Sequence, residues 1–358
     1  MVINSLYLKN YRNYNEFSVN FCPGINFIHG MNGQGKTNLV ESLYYITHLR
    51  SFRTSKMEDL VSYNKDHSII SSILTKQEVS HEVGINIHNN HKKVIIDSKN
   101  VGLTSEYIKN FFSILFSPDQ LAFFKEYPQE RRNFFDRILL LFDQEYVQKI
   151  KEFNRIKKQK GILLRKGNAK DIHIWNKLLS SVIPKITISR KTIVEKINNT
   201  ISSIFNNLTG RHEHLQVGYK SDFEERSVIN ESDIFDFLSQ KMETELSKGY
   251  LYYGPHKDNF WMTLDEKRDK QSFSQGEYRI SFLSLQLAIN GIFSKILDFK
   301  PIILLDDIFS ELDEEVFQKT IEFISRESNQ VFITSTRIPN GLEDIGESFL
   351  INGGKLVY

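Results

Sequence analysis

The length of 358 residues is long for a single core and favours two lobes, while 40% apolar and 25% charged residues are typical of a folded soluble protein. A net charge of only +2 excludes a global positive field that would attract nucleic acid, so any such surface must be local. The single cysteine, Cys22, excludes an intramolecular disulfide or a thiolate metal cluster. With no signal-peptide core and no apolar run of bilayer length, these features predict a cytoplasmic protein with no membrane partner.

The pattern of the first quarter of the chain predicts β-strands around one helix, which runs from Lys36 to about Arg50. A buried run, Phe111 to Phe116, follows and ends at Ser117-Pro118. The predicted strands share alternating or continuous apolar residues; they are Val2–Leu8, Ile25–His29, Ser68–Leu74, Glu82–His88 and Val94–Asp97.

From Pro128 to about Leu208 the apolar spacing becomes helical, with predicted breaks at Gly161, Gly167 and Pro184. No heptad repeat lasts long enough for a long coiled coil. After Gly249 an α/β pattern returns, with these predicted elements: a strand near Phe260, a helix from about Gly276 to Phe299, the strand Ile302–Leu305, a helix from about Glu314 to Ser325, and the strand Val331–Thr334. The pattern therefore predicts an α/β head that is split by a mostly helical insertion.

The stretch GMNGQGKT, from Gly30 to Thr37, lies between a predicted strand and a predicted helix, as the G-x-x-x-x-G-K-[ST] phosphate-binding loop requires. Its glycines let backbone N–H groups approach phosphates, and the helix N-terminus adds partial positive charge. Lys36 is predicted to reach the β- and γ-phosphates, and the Thr37 hydroxyl to ligand Mg²⁺. The predicted ATP-binding residues of this segment are Gly30, Met31, Asn32, Gly33, Gln34, Gly35, Lys36, Thr37 and Asn38.

Pro301 begins an apolar strand that ends in two carboxylates, Asp306 and Asp307. Asp306 suits a Walker-B aspartate that binds Mg²⁺, and Asp307 would then orient or deprotonate the attacking water. Together with Lys36, Asp307 is therefore predicted to be catalytic.

The segment Ser274-Gln275-Gly276-Glu277 lies at a predicted helix N-terminus before this strand. An acidic loop from Ser310 to Asp313 follows the strand. In this order after a P-loop, the motifs resemble the layout of ABC-type ATPases. That resemblance implies that the signature residues cap the ATP bound by a partner subunit, with Ser310 and Asp313 in the D-loop. A C₂ dimer that closes around two nucleotides uses each site twice, as a self-complementary interface requires.

Local motifs across nearly the whole chain resemble the RecF family of SMC-like ATPases. They are LKNYRNY (8–14), GMNGQGKTNLVES (30–42), SFRTSKMEDL (51–60), LFSPDQLAFFKEYPQERRNFFD (115–136), YGPHKDNF (253–260), FSQGEYR (273–279) and PIILLDDIFSELD (301–313). Departures from the residues usual in that family occur at Lys257, Glu277 and Lys160-Gly161, and none removes a core ATP-site group.

The resemblance implies an α/β fold: an ABC-type, SMC-like P-loop ATPase head with an inserted, mostly helical lobe and no long coiled coil. The expected boundaries are 1–117 and 249–358 for the head and 118–248 for the lobe. It further implies ATP and Mg²⁺ as cofactors, and an ATP-dependent homodimer that binds single- and double-stranded DNA at gaps, including duplex and gapped DNA, without sequence specificity. Slow, DNA-stimulated hydrolysis would reopen the dimer, and the RecR and RecO proteins are the implied partners in recombinase loading.

Three further side chains are weaker candidates. Arg12 follows the first strand and could reach a phosphate, and Arg53 follows the P-loop helix and could serve as an arginine finger. Either could equally be a solvated surface arginine. Gln120 could link Mg²⁺ to the insertion.

A local positive strip lies between Lys149 and Lys170, where nine basic residues accompany one acid, Glu152. Such a strip suits phosphate-backbone contact without sequence readout, although a solvated helix face would look the same. The predicted DNA-binding residues are Lys149, Lys151, Arg155, Lys157, Lys158 and Lys160.

Two other functions remain open at this point. An ATP-hydrolysing transporter subunit would need a membrane partner and would turn over ATP regardless of DNA. A DNA-cutting enzyme with an ATPase head would need a separate metal-carboxylate cluster, which the sequence does not show.

Overall fold

The computed structural model describes residues 1–102, 104–224, 230–268, 272–297, 299–327, 329–338, 342 and 344–357. The chain forms two compact units. The head comprises Met1–Ala122, Ser203–His212 and Ser274–Tyr358, and the inserted unit comprises Phe123–Ser202 and Glu213–Phe273. Within the described part of the chain, no helix has both the length and the apolar character needed to cross a membrane.

The strands, in chain order, are β1 (Val2–Tyr11), β2 (Tyr14–Asn20), β3 (Ile25–His29), β4 (His67–Lys76), β5 (Val79–His88), β6 (His91–Ile96), β7 (Lys99–Asn100), β8 (Ser113–Phe116), β9 (Leu215–Lys220), β10 (Asn259–Leu264), β11 (Lys267–Arg268), β12 (Ile302–Leu305), β13 (Val331–Ser335), β14 (Gly346–Asn352) and β15 (Lys355–Val357). The α-helices are α1 (Lys36–His48), α2 (Thr104–Asn110), α3 (Pro118–Glu126), α4 (Pro128–Phe142), α5 (Tyr146–Arg165), α6 (Ile172–Asn198), α7 (Ile201–Thr209), α8 (Glu231–Gln240), α9 (Met242–Lys248), α10 (Gln275–Ile296), α11 (Ile308–Glu311) and α12 (Glu314–Glu327). Short 3₁₀ turns occupy Met57–Leu60 and Pro255–Lys257.

The head contains two sheets. One is antiparallel in the order β2-β1-β4-β5-β6-β7, and its strands alternate buried and exposed residues because only one face packs on the core. The other has the order β15-β14-β3-β13-β12-β8 and is parallel except for β15. Every residue of β8, β12 and β13 is buried, which explains their continuous apolar sequences.

The parallel sheet determines where the site can form. Strand β3 lies between β13 and β14, and β12 lies on the other side of β13. Because these strands run in the same direction, their carboxyl ends meet at one edge of the sheet. The loop after β3, the residue after β12 and the end of β13 are therefore brought together there.

The inserted unit combines helices α4, α5, α6, α8 and α9 with the small sheet β11-β10-β9. A buried arginine on α6, Arg190, donates to Asp136 at 2.8 Å and to Asp258 at 2.6 Å. The hydroxyls of Tyr146 and Tyr219 donate to the same two carboxylates, each at 2.6 Å. Because Asp258 belongs to the YGPHKDNF motif, part of that motif has a structural role.

Two predicted helix breaks are wrong. Helix α5 continues through Gly161, and α6 continues through Pro184, whereas Gly167 does lie between these helices. A proline inside a helix removes one hydrogen bond, but packing can outweigh that loss. Ile183 and Ile186 beside it are both buried, which explains why α6 persists.

The boundaries of the two compact units differ from the expected lobe boundaries. Residues 249–273 group with the inserted unit because β10 pairs with β9, from Leu264 opposite Leu215 to Asn259 opposite Lys220. Residues 203–212 group with the head instead.

Candidate nucleotide-binding site

The P-loop has the backbone that its glycines predict. Gly30 has φ 146°, and a Cβ there would lie 2.3 Å from the carbonyl oxygen of Ile351 on β14. Gly35 has φ 115°, and a Cβ there would overlap the amide of Asn13 at 2.6 Å. Glycine is favoured at both positions because both have positive φ. At Gly30 the backbone of β14 also leaves no room for a side chain.

Side chains around the loop hold it in shape. The Tyr14 hydroxyl donates to the carbonyl of Gly35 at 2.9 Å, and the Asn13 amide donates to the carbonyl of Gln34 at 3.1 Å. The Gln34 side chain in turn accepts from the N–H of Gly353 at 2.6 Å. Met31 remains 78% exposed. The loop is thus braced from the β1–β2 turn and from the β14–β15 hairpin before any nucleotide binds.

The Lys36 ammonium lies inside the loop and donates to the carbonyls of Gly30 at 2.7 Å and Met31 at 2.9 Å. Burial lowers the pKa of Lys36, while the nearby charges of Asp307 and Asp306 oppose this shift. These hydrogen bonds hold the cation where a phosphate would approach the loop.

Asp306 is 3% exposed at the end of β12, and one of its oxygens accepts two hydrogen bonds. Thr37 donates at 3.1 Å and Thr334, on β13, donates at 2.7 Å. Burial is the main cause that raises the pKa of Asp306 to about 6, with a smaller contribution from the charge of Asp307. Burial disfavours the ionised form of this carboxylate, and a cation that binds beside it stabilises that form.

Asp307 follows in the left-handed region, with φ 50°, at the start of α11. Its N–H donates to the Thr334 hydroxyl at 2.8 Å, and its carbonyl accepts from the Ser310 hydroxyl at 2.9 Å. Thr334 therefore links both acids, and sequence reasoning missed it as a site residue. In the sequence, the one feature that could have identified Thr334 is its position at the end of the apolar strand that follows the two acids.

Thr37 and Asp306 offer a hydroxyl and a carboxylate 3.1 Å apart, which suits Mg²⁺ held partly by protein and partly by phosphates and water. No group of three or more His, Cys, Asp or Glu side chains that could hold a metal was found among the described residues.

The two candidate arginines share one acid. Arg12 donates twice to Glu41, at 2.8 and 2.6 Å, and Arg53 lies 3.9 Å from the same carboxylate. Arg53 also donates to Asn38 at 2.8 Å. Glu41, fully buried on α1, was missed from the sequence, although a lone acid in a mostly apolar helix was a signal. Whether either arginine contacts phosphate stays a prediction.

Gln120 has a different partner from the one expected. Its side-chain oxygen accepts from Gln286 on α10 at 3.0 Å, and its N–H donates to Ser117 at 3.1 Å. Its role as a metal-linking residue stays a prediction.

The signature segment forms the exposed start of α10. Ser274 accepts from the N–H of Glu277 at 3.1 Å, and Glu277 accepts from the N–H of Ser274 at 2.7 Å, which is a complete capping box. Gln275 and Gly276 are exposed beside them. The Glu277 carboxylate is thus held by a helix N-terminus, which favours its charge.

The D-loop segment is tied to the signature helix. Arg279 on α10 pairs with Glu311 at 2.5 Å, and the neighbouring Ser310 and Asp313 are exposed. The signature and the D-loop therefore present exposed side chains from two connected elements of the head.

The predicted DNA-binding lysines separate into two groups. Lys160 is fully buried and pairs with buried Glu245 at 2.6 Å, so its assignment to a DNA-binding surface is wrong. Lys149 pairs with Asp143 at 2.9 Å. The remaining predicted residues stay at least partly exposed on α5; they are Lys151, Arg155, Lys157 and Lys158.

Comparisons with known proteins agree with this architecture. The model of the RecF/RecN/SMC N terminal domain family matches residues 2–344. The chain is 32% identical to the DNA replication and repair protein RecF of Clostridium acetobutylicum, over 98% of this chain and 96% of that protein. It is 29% identical to the protein of the same name from Geotalea uraniireducens, over 100% of both chains.

Solved structures give the same result. A structure of the recombination mediator protein RecF with ATP, in the RecFOR pathway, matches with a TM-score of 0.88 and 26% identity, over 99% of this chain and 96% of that chain. The Smc head domain from Pyrococcus furiosus shares the fold, with a TM-score of 0.59 and 17% identity over 99% of this chain and 95% of that chain. The predicted fold class, an ABC-type, SMC-like ATPase head, is confirmed.

Proposed function

The chain belongs to the RecF family, and from this premise we propose that it is an ATP-dependent DNA-binding protein of recombinational repair and replication. Its cofactors are ATP and Mg²⁺. Its partners are DNA and the RecR and RecO proteins of the same pathway. The transporter alternative is not favoured, because the relatives that match the full length of the chain are DNA repair proteins.

The observation that supports ATP binding most directly is the hydrogen-bonded set formed by Thr37, Asp306 and Thr334 beside the braced P-loop. Lys36 would exchange its two loop carbonyls for β- and γ-phosphate oxygens. Thr37 and Asp306 would hold Mg²⁺, which when bound neutralises phosphate charge. Asp307, fixed through its N–H by Thr334, would orient the attacking water.

We further propose that ATP closes a homodimer on DNA at gaps, and that slow hydrolysis reopens it. The exposed capping box at Ser274 supports this step, because it presents a helix N-terminus that can accept an anion from outside the subunit. In a two-fold dimer, each Ser274 would cap the γ-phosphate bound by the other P-loop. ATP would therefore act as a conformational switch that assists recombinase loading.

The test is the molar mass in solution, measured by light scattering with ATP, with ADP and without nucleotide, each with and without gapped DNA. We expect a dimer with ATP, stabilised further by DNA, and a monomer with ADP. Lys36→Ala should abolish the ATP-driven dimer, because the phosphates lose their main cation. Lys56→Ala, at a 70% exposed lysine outside the P-loop, is the matched control. An unchanged mass in every condition, or an intact dimer in Lys36→Ala, would contradict the proposal.

A further inference from the structure

A basic cleft of about 440 Å³ opens in the inserted unit, between α5 and the segment that follows α9. We use the name basic cleft for the site lined by these side chains: Lys157, Lys158, Arg165, Tyr250, His256 and Lys257. None of the described residues that line the cleft carries a carboxylate. A cavity of this volume is in the range that holds one small ligand.

The cations of the basic cleft lack the partners that other lysines of α5 have. Lys149 and Lys160 each pair with a carboxylate, at 2.9 and 2.6 Å. In contrast, no ion pair with a described carboxylate involves Lys157, Lys158, Arg165 or Lys257. Unpaired cations that converge on one cavity repel one another, so an anion bound there would relieve this repulsion.

The electrostatic state of the basic cleft reflects this crowding. Burial is the main cause that lowers the pKa of His256 to about 3, and the charges of Lys157, Lys257 and Arg132 contribute to this shift. Burial also lowers the pKa of Lys157, together with the charges of Arg132 and Lys257. The imidazole is thus neutral at physiological pH, and the positive charge of the cleft comes from its lysines and arginine.

Gly161 lies in the wall of the basic cleft, in the interior of α5. Glycine in a helix interior costs about 1 kcal/mol relative to alanine. A Cβ at Gly161 would meet nothing within 4 Å, so packing does not require a glycine there. Gly161 itself is buried, and its missing side chain leaves space in the cleft beside the helix.

Aromatic rings lie beside these cations. Tyr250 lines the cleft and is 48% exposed. Close by, the Lys248 and Lys257 ammonium groups lie over the ring of Tyr252, at 4.4 and 5.3 Å from its centre. An exposed ring next to unpaired cations is the combination with which proteins bind single-stranded nucleic acid, where bases stack and phosphates pair with cations.

We propose that the basic cleft binds one unpaired nucleotide of single-stranded DNA. Its phosphodiester pairs with Lys157, Arg165 and Lys257, and its base packs on the Tyr250 ring. A nucleotide within a duplex cannot offer its base face in this way, because that face is stacked on its neighbours. That the ligand is DNA rests on the proposed function. That an anionic ligand with an aromatic base binds here rests on the geometry and charge of the basic cleft.

The test is fluorescence anisotropy of labelled oligothymidine, of a duplex of equal length and of oligouridine, without nucleotide. Lys157→Gln with Lys257→Gln should weaken binding to oligothymidine on the order of tenfold, and should reduce the slope of log affinity against log salt by up to about 0.7, because the cleft holds one phosphate. Tyr250→Ala should weaken it on the order of tenfold by removing the stacking surface. Gly161→Leu keeps every charge and fills the cleft, so it should weaken binding with little change in the salt slope.

The matched control is Lys177→Gln with Lys185→Gln, which removes two charges from exposed positions on α6. With oligothymidine, the control should change the affinity much less than the cleft variants do. With the duplex, the cleft variants should change the affinity much less than they do with oligothymidine. Circular dichroism verifies that each variant folds. The proposal is wrong if Gly161→Leu and Tyr250→Ala bind oligothymidine as the unmutated protein does, or if the control weakens binding equally. Tighter binding of oligouridine would instead identify RNA as the ligand. Since no ATP is present, these outcomes are independent of whether ATP drives dimerisation.

Discussion

The buried acid at the end of β12 makes a prediction about stability that can be tested without nucleotide. Asp306→Asn keeps the acceptor oxygen that Thr37 and Thr334 use but removes the charge. The native pKa of Asp306 is raised from 3.8 to about 6, so between these values the native state binds a proton more tightly than the unfolded state. Stability is therefore lost as the pH rises through this window, and the variant avoids that loss.

The size of the effect follows from the shift. A difference of about 2 pH units corresponds to about 3 kcal/mol at pH 8, where Asp306 is ionised in both states. At pH 5 the native carboxyl is still mostly protonated, and the difference falls to about 1.5 kcal/mol. We thus expect Asp306→Asn to stabilise the ligand-free protein, and the gain at pH 8 to be about twice the gain at pH 5.

The measurement is calorimetric unfolding at both pH values in the presence of a metal chelator. For a protein of this size, 3 kcal/mol corresponds to roughly 5 °C in Tm. Asp313→Asn is the control, since it removes one exposed carboxylate and leaves a residue that caps helices equally well. In a separate series without the chelator, ATP with Mg²⁺ should raise the Tm of the unmutated protein but not that of Asp306→Asn. A variant that is no more stable at pH 8, or whose gain is the same at pH 5, refutes the electrostatic reasoning.

Two further predictions concern other pairs of residues. Ser274→Arg should block dimer closure and Asp307→Asn should stall hydrolysis in a closed dimer, yet their mixture should recover some ATPase activity, because one composite site of the mixed dimer keeps both residues. A mixture that stays inactive although mixed dimers form would contradict capping in trans. Lys160→Ala should lower the free energy of unfolding by about 3–5 kcal/mol, because it leaves the fully buried Glu245 without its partner. Urea unfolding measures this, and Lys160→Met with Glu245→Gln should recover most of the loss, because the glutamine keeps an acceptor for the Tyr252 N–H, which donates to Glu245 at 2.9 Å. Equal stability of Lys160→Ala and the unmutated protein would refute the argument.

Much of the site could be predicted from the sequence, because its chemistry depends on residues that are close together along the chain. The spacing from Gly30 to Thr37 specifies a loop between a strand and a helix, and the observed β3 and α1 start and end within two residues of their predicted bounds. The strand Ile302–Leu305 was also predicted with the bounds observed, since a short, fully buried strand has a continuous apolar sequence.

The contacts that complete the site could not be predicted in this way, because they join distant parts of the chain. Thr334 donates to Asp306 across neighbouring strands, and Glu41 accepts from Arg12, which lies in the turn after the first strand. Local sequence also gave no indication that Lys160 is buried, since its partner Glu245 lies on another helix. In each case a residue's environment depends on tertiary packing, which periodicity along one element does not report.

The position of β3 in its sheet has a consequence for synthesis on the ribosome. Ile25 pairs with Val331 on one side and with Gly346 on the other. During translation, β3 therefore lacks one or both of its neighbouring strands until the ribosome has made the chain beyond Gly346. The inserted unit ends at Phe273, so it can become compact while this strand still has unpaired edges. A newly made head without its last strands exposes an apolar, unpaired edge, and this interval is when it would most need protection by chaperones.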